Sequence, residues 1–147
     1  DPVESIRNLK TQEDVEEWIL RLRDALCSYL DENLARSKNL LVSSITDYID
    51  QHAGEPLTLQ KVADAFDKSP TYISTVFKKY SSVGFAEYVR NAKLAKAKEL
   101  LAKGYKIRDV ADMLEYSDPY YFSRVFKKVE NMSPSEYIYS LQTGADS

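Results

Sequence analysis

The strongest constraint on this chain is that its C-terminal two-thirds repeats one pattern twice. Residues 59–69 (LQKVADAFDKS) lie over residues 107–117 (IRDVADMLEYS), and Val62, Ala63 and Asp64 fall on Val110, Ala111 and Asp112 at an offset of 48. One inserted residue moves the offset to 49, where residues 72–79 (YISTVFKK) fall on residues 121–128 (YFSRVFKK). The match runs on to Glu87 and Tyr88 against Glu136 and Tyr137. Two copies of one unit argue against a stacked solenoid, which needs about three or more repeats to bury its faces.

Each copy has a helical period and the same punctuation. Thr58 caps a short helix with Leu59, Val62, Ala63 and Phe66 on one face. A second helix opens on a cap followed by proline, Ser69-Pro70 in one copy and Asp118-Pro119 in the other. Proline is favoured there because its missing N–H would have no partner within the helix. Ile73, Val76, Phe77 and Tyr80 recur at i, i+3, i+4 and i+7, as do Phe122, Val125, Phe126 and Val129, so these face a core. The opposite faces carry Thr71, Ser74, Thr75 and Lys78, and Tyr120, Ser123, Arg124 and Lys127. Helix, short turn and a second helix with a polar outer stripe is the outline of a helix-turn-helix.

Between the copies, residues 85–103 read as one helix with Phe85, Tyr88, Val89, Ala92, Ala95, Leu100 and Leu101 in its apolar stripe, closed by Gly104. Its length, roughly 28 Å at about 1.5 Å per residue, is near the ~34 Å between successive major grooves on one side of a duplex.

The front of the chain is different. Residues 1–54 hold 6 Lys and Arg against 11 Asp and Glu, whereas residues 55–147 hold 14 against 12. The overall balance of −3 therefore hides a second part compatible with a nucleic-acid partner. Thr11 and Asp14 form a capping box, and Val15, Ile19, Leu22, Leu26 and Tyr29 make a coiled-coil-like stripe flanked by Trp18 and Leu30. The stripe packs on its own domain or pairs weakly with a second chain. It lapses, and Leu41, Ile45, Tyr48 and Ile49 begin another in a new phase, which predicts a break or bend near residues 34–39. Gly54 and Pro56 end this second helix. The start at Asp1, without an initiator Met, reads as a fragment with a further domain upstream.

Composition removes much enzymology. Cys27 and His52 stand alone, and the four glycines are too dispersed for a phosphate-cradling loop. No cofactor, metal site or catalytic pair is expected, and no run approaches the ~18 apolar residues of a membrane span. Cys27 reads as a small buried hydrophobe in a reducing, cytoplasmic setting, and His52 as a capping cation or surface residue.

Residues 116–137, YSDPYYFSRVFKKVENMSPSEY, resemble the second helix-turn-helix of the AraC family of bacterial transcription regulators. SPTYISTVFKKYSS, with Lys93-Leu94 and the run AKELL at 97–101, resembles the first unit and its connecting helix. The resemblance covers roughly residues 40–138. It implies the output domain of an activator or repressor. The acidic segment is similar to the one that joins this domain to an upstream part: a receiver in two-component response regulators, or a ligand-binding barrel in sugar-responsive members. It also puts Thr71, Ser74 and Thr75 at base edges in one major groove and Tyr120, Ser123 and Arg124 in the next. Three positions depart from the family's usual glycine: Ser82, Glu115 and Asn131. A fourth, Ile138, replaces a common arginine.

Each site residue also has a plainer role. Arg124 can pair with guanine O6 and N7 or simply be a solvated arginine. Ser74, Thr75 and Ser123 suit a base edge or open solvent, and Tyr120 a sugar-phosphate or half-buried packing. Lys78, Lys79, Lys127 and Lys128 suit phosphates and equally the C-terminal ends of their helices. Lys106 and Arg108 join the phosphate group, and Thr58 is a cap that can lie against the backbone.

The expected architecture is all-α: an acidic helical linker or dimerisation segment over 1–39, then a DNA-binding domain over 40–142. Within it lie a first helix-turn-helix (about 57–83), a linker helix (85–103), a second helix-turn-helix (about 106–131) and a final helix (134–142). Double-stranded DNA is the expected partner. The competing reading is a helical interaction module that docks on RNA polymerase.

Overall fold

The computed structural model describes residues 7–144, which form seven α-helices and no strand. They are α1 (Gln12–Gln51), α2 (Leu59–Ala65), α3 (Pro70–Tyr80), α4 (Phe85–Ala102), α5 (Ile107–Met113), α6 (Pro119–Glu130) and α7 (Pro134–Gly144). The all-α class read from the sequence is the class observed. Two compact units divide between Leu41 and Val42. The first six residues of the expected linker lie outside the described residues.

Several helices begin where side chains take up free amides, whereas α4 and α5 start without a side-chain cap bond. The Lys61 amide donates to Thr58 Oγ1 at 3.1 Å, the Tyr72 amide to Ser69 Oγ at 3.1 Å, and the Tyr120 amide to Asp118 Oδ1 at 2.9 Å. At α7 the box is reciprocal: the Ser133 amide donates to Glu136 Oε2 (2.7 Å) and the Glu136 amide to Ser133 Oγ (3.1 Å). Each such cap contributes about 1 kcal/mol.

Helix ends follow one recipe three times. After α2, Asp67 takes φ 53°, and the Lys68 amide reaches back to the Ala63 carbonyl at 2.9 Å. After α5, Glu115 takes φ 62°, and the Tyr116 amide reaches the Ala111 carbonyl at 2.9 Å. After α4, Gly104 takes φ 93°, and the Tyr105 amide reaches the Leu100 carbonyl at 3.2 Å. These are left-handed closures that satisfy otherwise orphaned carbonyls, and only one of the three has glycine. Of the glycine replacements flagged in the sequence, Glu115 and Asn131 (φ 61°) are left-handed. Ser82 is not, and it follows an extended Ser81 at φ −110°, so the two helix-turn-helix copies leave their second helices differently.

In the first unit the capping box forms: the Thr11 amide donates to Asp14 Oδ2 at 3.1 Å, and the Asp14 amide to Thr11 Oγ1 at 3.1 Å. The Lys10 amide, also on Asp14, does most to hold that carboxyl below its ordinary value. Two expectations are corrected. No break falls in residues 34–39, which are helical throughout because they include good helix formers and no proline or glycine; the stripe changes phase within one run of helix. Cys27 is exposed, as are Val15, Ile19, Leu26 and Tyr29 of the stripe beside it.

In the second unit Ile45, Ile49, Val62, Ala63, Ile73, Val76 and Phe77 are buried. Phe77 meets Phe85 and Tyr88 edge-on at 5.8 and 5.6 Å between ring centroids. The second copy builds its own core from Leu94, Ala97 and Leu101 of α4 with Val110, Ala111, Leu114, Phe122 and Phe126. Truncating either fully buried Phe122 or Phe126 to alanine would cost about 3–5 kcal/mol. Helix α4 therefore serves two cores with two faces. This is why the single stripe read from the sequence misses Leu94 and Ala97 and includes Ala95, which is exposed. His52 is half-buried: its ring stacks on Tyr48 at 4.1 Å, and Nδ1 lies 2.8 Å from the Tyr48 carbonyl.

Candidate nucleic-acid interface

The split faces of α3 and α6 decide what each helix presents. With Ile73, Val76 and Phe77 buried, Thr71, Ser74, Thr75 and Lys78 are left exposed. The Thr75 hydroxyl donates to the Thr71 carbonyl at 2.8 Å, which leaves its oxygen able to accept. With Phe122 and Phe126 buried, Tyr120, Arg124 and Lys127 are exposed, while Ser123 is half-buried. Tyr120 is 81% exposed, which leaves no half-buried packing role for it. The Arg124 guanidinium lies over the Tyr121 ring, 6.0 Å from its centroid, and this limits the directions it can take.

The cations sort by partner. Lys61, Arg90, Lys96, Lys98 and Lys103 form ion pairs with nearby carboxylates. Among the described residues, Lys78, Lys79, Lys106, Arg108, Arg124, Lys127 and Lys128 form none, and all seven are exposed. Lys78 and Lys79 end α3, and Lys127 and Lys128 end α6, where a positive charge is also favoured by the helix carbonyls. Lys79 additionally lies over the Tyr80 ring at 5.6 Å. Lys106 is the N-cap of α5 with no side-chain cap bond, and Arg108 follows in its first turn. Thr58 is exposed, with its hydroxyl oxygen engaged by the Lys61 amide. The charge of Lys127 helps hold Glu136 below its ordinary value, although the Ser133 amide is the larger cause.

Arg90 drew no notice in the sequence, because it lies on the helix read only as a spacer. The structure brings it beside Arg124 and Lys128 around one cleft, with Tyr116 and Tyr121 in the wall. Burial pushes the Tyr116 hydroxyl above its ordinary value; Tyr121 adds to this and Arg90 opposes it. The sequence signal was faint: one arginine beside the apolar Val89.

A family model described as a helix-turn-helix domain matches residues 62–139. The HTH-type transcriptional regulator YijO of Escherichia coli is 43% identical over 117 residues, which cover 78% of this chain and 40% of YijO. The chain thus spans well under two-thirds of that relative's length. Among solved structures, the C-terminal domain of AraT, a response regulator from Geobacillus stearothermophilus, aligns with a TM-score of 0.61 at 32% identity, covering 67% of this chain and 84% of that one. The DNA-binding domain of the global transcriptional factor AdpA, solved with a target DNA, aligns with a TM-score of 0.62 over 69% of this chain and 93% of that one. At 16% identity this last likeness is one of fold. Over more than half its length the sequence matches the family, and the chain belongs to the AraC-type helix-turn-helix family of transcriptional regulators.

Proposed function

We propose that this chain is the sequence-specific DNA-binding output domain of a bacterial transcription regulator, with α3 and α6 as recognition helices for adjacent major grooves. The observation that carries the reading is the sorting of charge: seven exposed cations without ion pairs line α3, α6 and the start of α5, while those of α4 are mostly paired. Unpaired surface cations can neutralise the phosphates of a polyanion and release the counterions condensed on it.

In this reading Lys78, Lys79, Lys106, Arg108, Lys127 and Lys128 take phosphates, with the capped start of α2 at Thr58 beside them. They position the domain but carry no sequence information. Thr71, Ser74 and Thr75 read one groove, and Tyr120, Ser123 and Arg124 the next, Arg124 being suited to guanine. The domain spans 40–142, and the segment before it is a linker to an upstream signal-receiving part. The exposed stripe of α1 supports weak pairing with a second copy, which would raise affinity for a two-part site. RNA polymerase is the further partner of an activator of this kind, and the cytoplasm its place of work. No catalysis is assigned to the chain.

The test is selection of bound sites from random duplexes, with affinity then measured against salt. The expected outcome is a bipartite motif with its halves about one helical turn, 10–10.5 bp, apart, and log affinity falling steeply with log salt. An unenriched pool with a flat salt dependence would overturn the reading in favour of an interaction module.

A further inference from the structure

We propose that the cleft between α4 and α6 binds a small amphiphilic anion: a phosphate monoester or carboxylate carried on an aromatic body. The cleft has a volume of about 430 Å³, within the usual range for small-ligand sites. Its charged lining is entirely cationic, from Arg90 on α4 and Arg124 and Lys128 on α6. The nearest carboxylate in contact with these groups is Glu87, 3.9 Å from a terminal nitrogen of Arg90. With those side chains 50% and 41% exposed, that pair is weak and easily exchanged for another anion.

Arg90 supplies the most specific feature. Its Nε is buried and has no hydrogen-bond acceptor within the protein. An anion that displaced the atoms covering Nε would give it the acceptor it lacks, with a terminal N–H as the second, parallel donor that a phosphate or carboxylate accepts bidentately. The remaining wall is apolar: the Tyr116 and Tyr121 rings lie 6.1 Å apart and tilted by 49°, with Val125 beside them. An inorganic anion has nothing to place against these rings. An aromatic one fills them while its head group meets the three cations.

The consequence for regulation rests on the DNA reading above. Arg124 and Lys128 belong both to the cleft and to the proposed interface, so an anion in the cleft would hold Arg124 against Tyr121 and compete with a duplex.

The test is a titration of the chain with phenyl phosphate followed by 1H–15N NMR, with inorganic phosphate and benzyl alcohol as separate arms. Phenyl phosphate should saturably shift the Arg90 and Arg124 Nε–H signals and the Tyr116, Tyr121 and Val125 amides. It should bind about tenfold more tightly than either part alone, and Arg90→Gln should lose about tenfold with the remaining spectrum retained. Arg90→Lys, which keeps the charge and loses the fork, should fall between. Equal binding of phenyl phosphate and inorganic phosphate, shifts scattered over all basic residues, or full affinity in Arg90→Gln would each overturn the site. In a second arm, phenyl phosphate should weaken binding to a duplex in the unaltered chain and not in Arg90→Gln. Bound anion with undiminished duplex affinity overturns the competition. A chain that binds no duplex at all overturns the DNA reading, while the titration still decides the cleft.

Discussion

Replacing Glu115 by glycine isolates the strain held in the turn between α5 and α6. Glu115 sits at φ 62°, where an L side chain costs about 1–2 kcal/mol. The turn requires that conformation: the Glu115 amide donates to the Asp112 carbonyl at 3.1 Å and the Tyr116 amide to the Ala111 carbonyl at 2.9 Å, closing α5. The side chain returns nothing for this, being exposed and without an ion pair or hydrogen bond among the described residues. Glycine removes the strain but widens the unfolded ensemble, at a cost of about 0.5–1 kcal/mol. The balance is a gain of about 0.5–1 kcal/mol, or roughly 3–5 °C in Tm for a domain of this size.

Urea unfolding followed by circular dichroism reads this as a shift in midpoint at constant slope. Two companion variants fix the interpretation. Asp67→Gly, at φ 53°, should gain less, since aspartate enters the left-handed region more readily than glutamate. Gly104→Ala, at φ 93°, should lose about 1 kcal/mol through backbone alone, because an added Cβ would meet nothing within 4 Å. If Gly104→Ala loses stability as expected while Glu115→Gly is neutral or worse, left-handed strain is not what the second turn stores.

Other perturbations address the interface and the caps. Lys127→Ala should weaken duplex binding about equally across sequences and reduce the salt slope by about one, whereas Arg124→Ala should cost about 1–3 kcal/mol at one base position only; electrophoretic titrations of matched and mismatched sites separate the two. Glu136 has its carboxyl held below the ordinary 4.5 by the Ser133 amide first, so it favours the folded state above the carboxylate range, and that contribution fades as pH falls through the depressed value. Glu136→Gln should therefore melt lower than the unaltered chain near neutral pH, and the gap should close in acid; a gap independent of pH would remove the charge from the explanation. Because α4 is an 18-residue helix anchored to aromatic contacts at one end and to the second core at the other, its span of roughly 27 Å cannot stretch to a ~34 Å groove spacing. A duplex seated on both helix-turn-helix copies should bend, and circular-permutation mobility shifts that show a straight complex would count against simultaneous seating.

What the sequence made legible was whatever has one periodicity and one partner. The buried faces of α3 and α6 could be read from spacing because each packs on a single side, and the caps at Thr58, Ser69, Asp118 and Ser133 could be read because short polar side chains before a helical run have few other uses. Helix α4 was misread because two cores take two faces of it, so no single stripe describes it. Asp67 went unnoticed as a left-handed residue, although the repeat aligns it with Glu115; aspartate in a polar turn gives no signal of its own backbone angle. The phase change near residue 36 was legible, but its cause was not, because a helix can change which face is buried without changing its hydrogen bonding.

Net charge misleads most about the interface. The near balance of 14 basic and 12 acidic residues over 55–147 suggests a feeble field. Screening at physiological salt, however, limits each charge to about 8 Å, so the potential at a surface depends on which charges are locally neutralised. Carboxylates pair with Lys96 and Lys98 on α4 and with Lys103 at its C-terminal end, and leave Lys78, Lys79, Arg124, Lys127 and Lys128 unpaired on α3 and α6. Glu130 stands on α6 itself, and with its charge taken up by Lys98 of α4 at 3.1 Å it offsets Lys127 and Lys128 less than a free carboxylate would. The field a polyanion meets is therefore set by this division of partners, and the small sum over the chain is a poor measure of it.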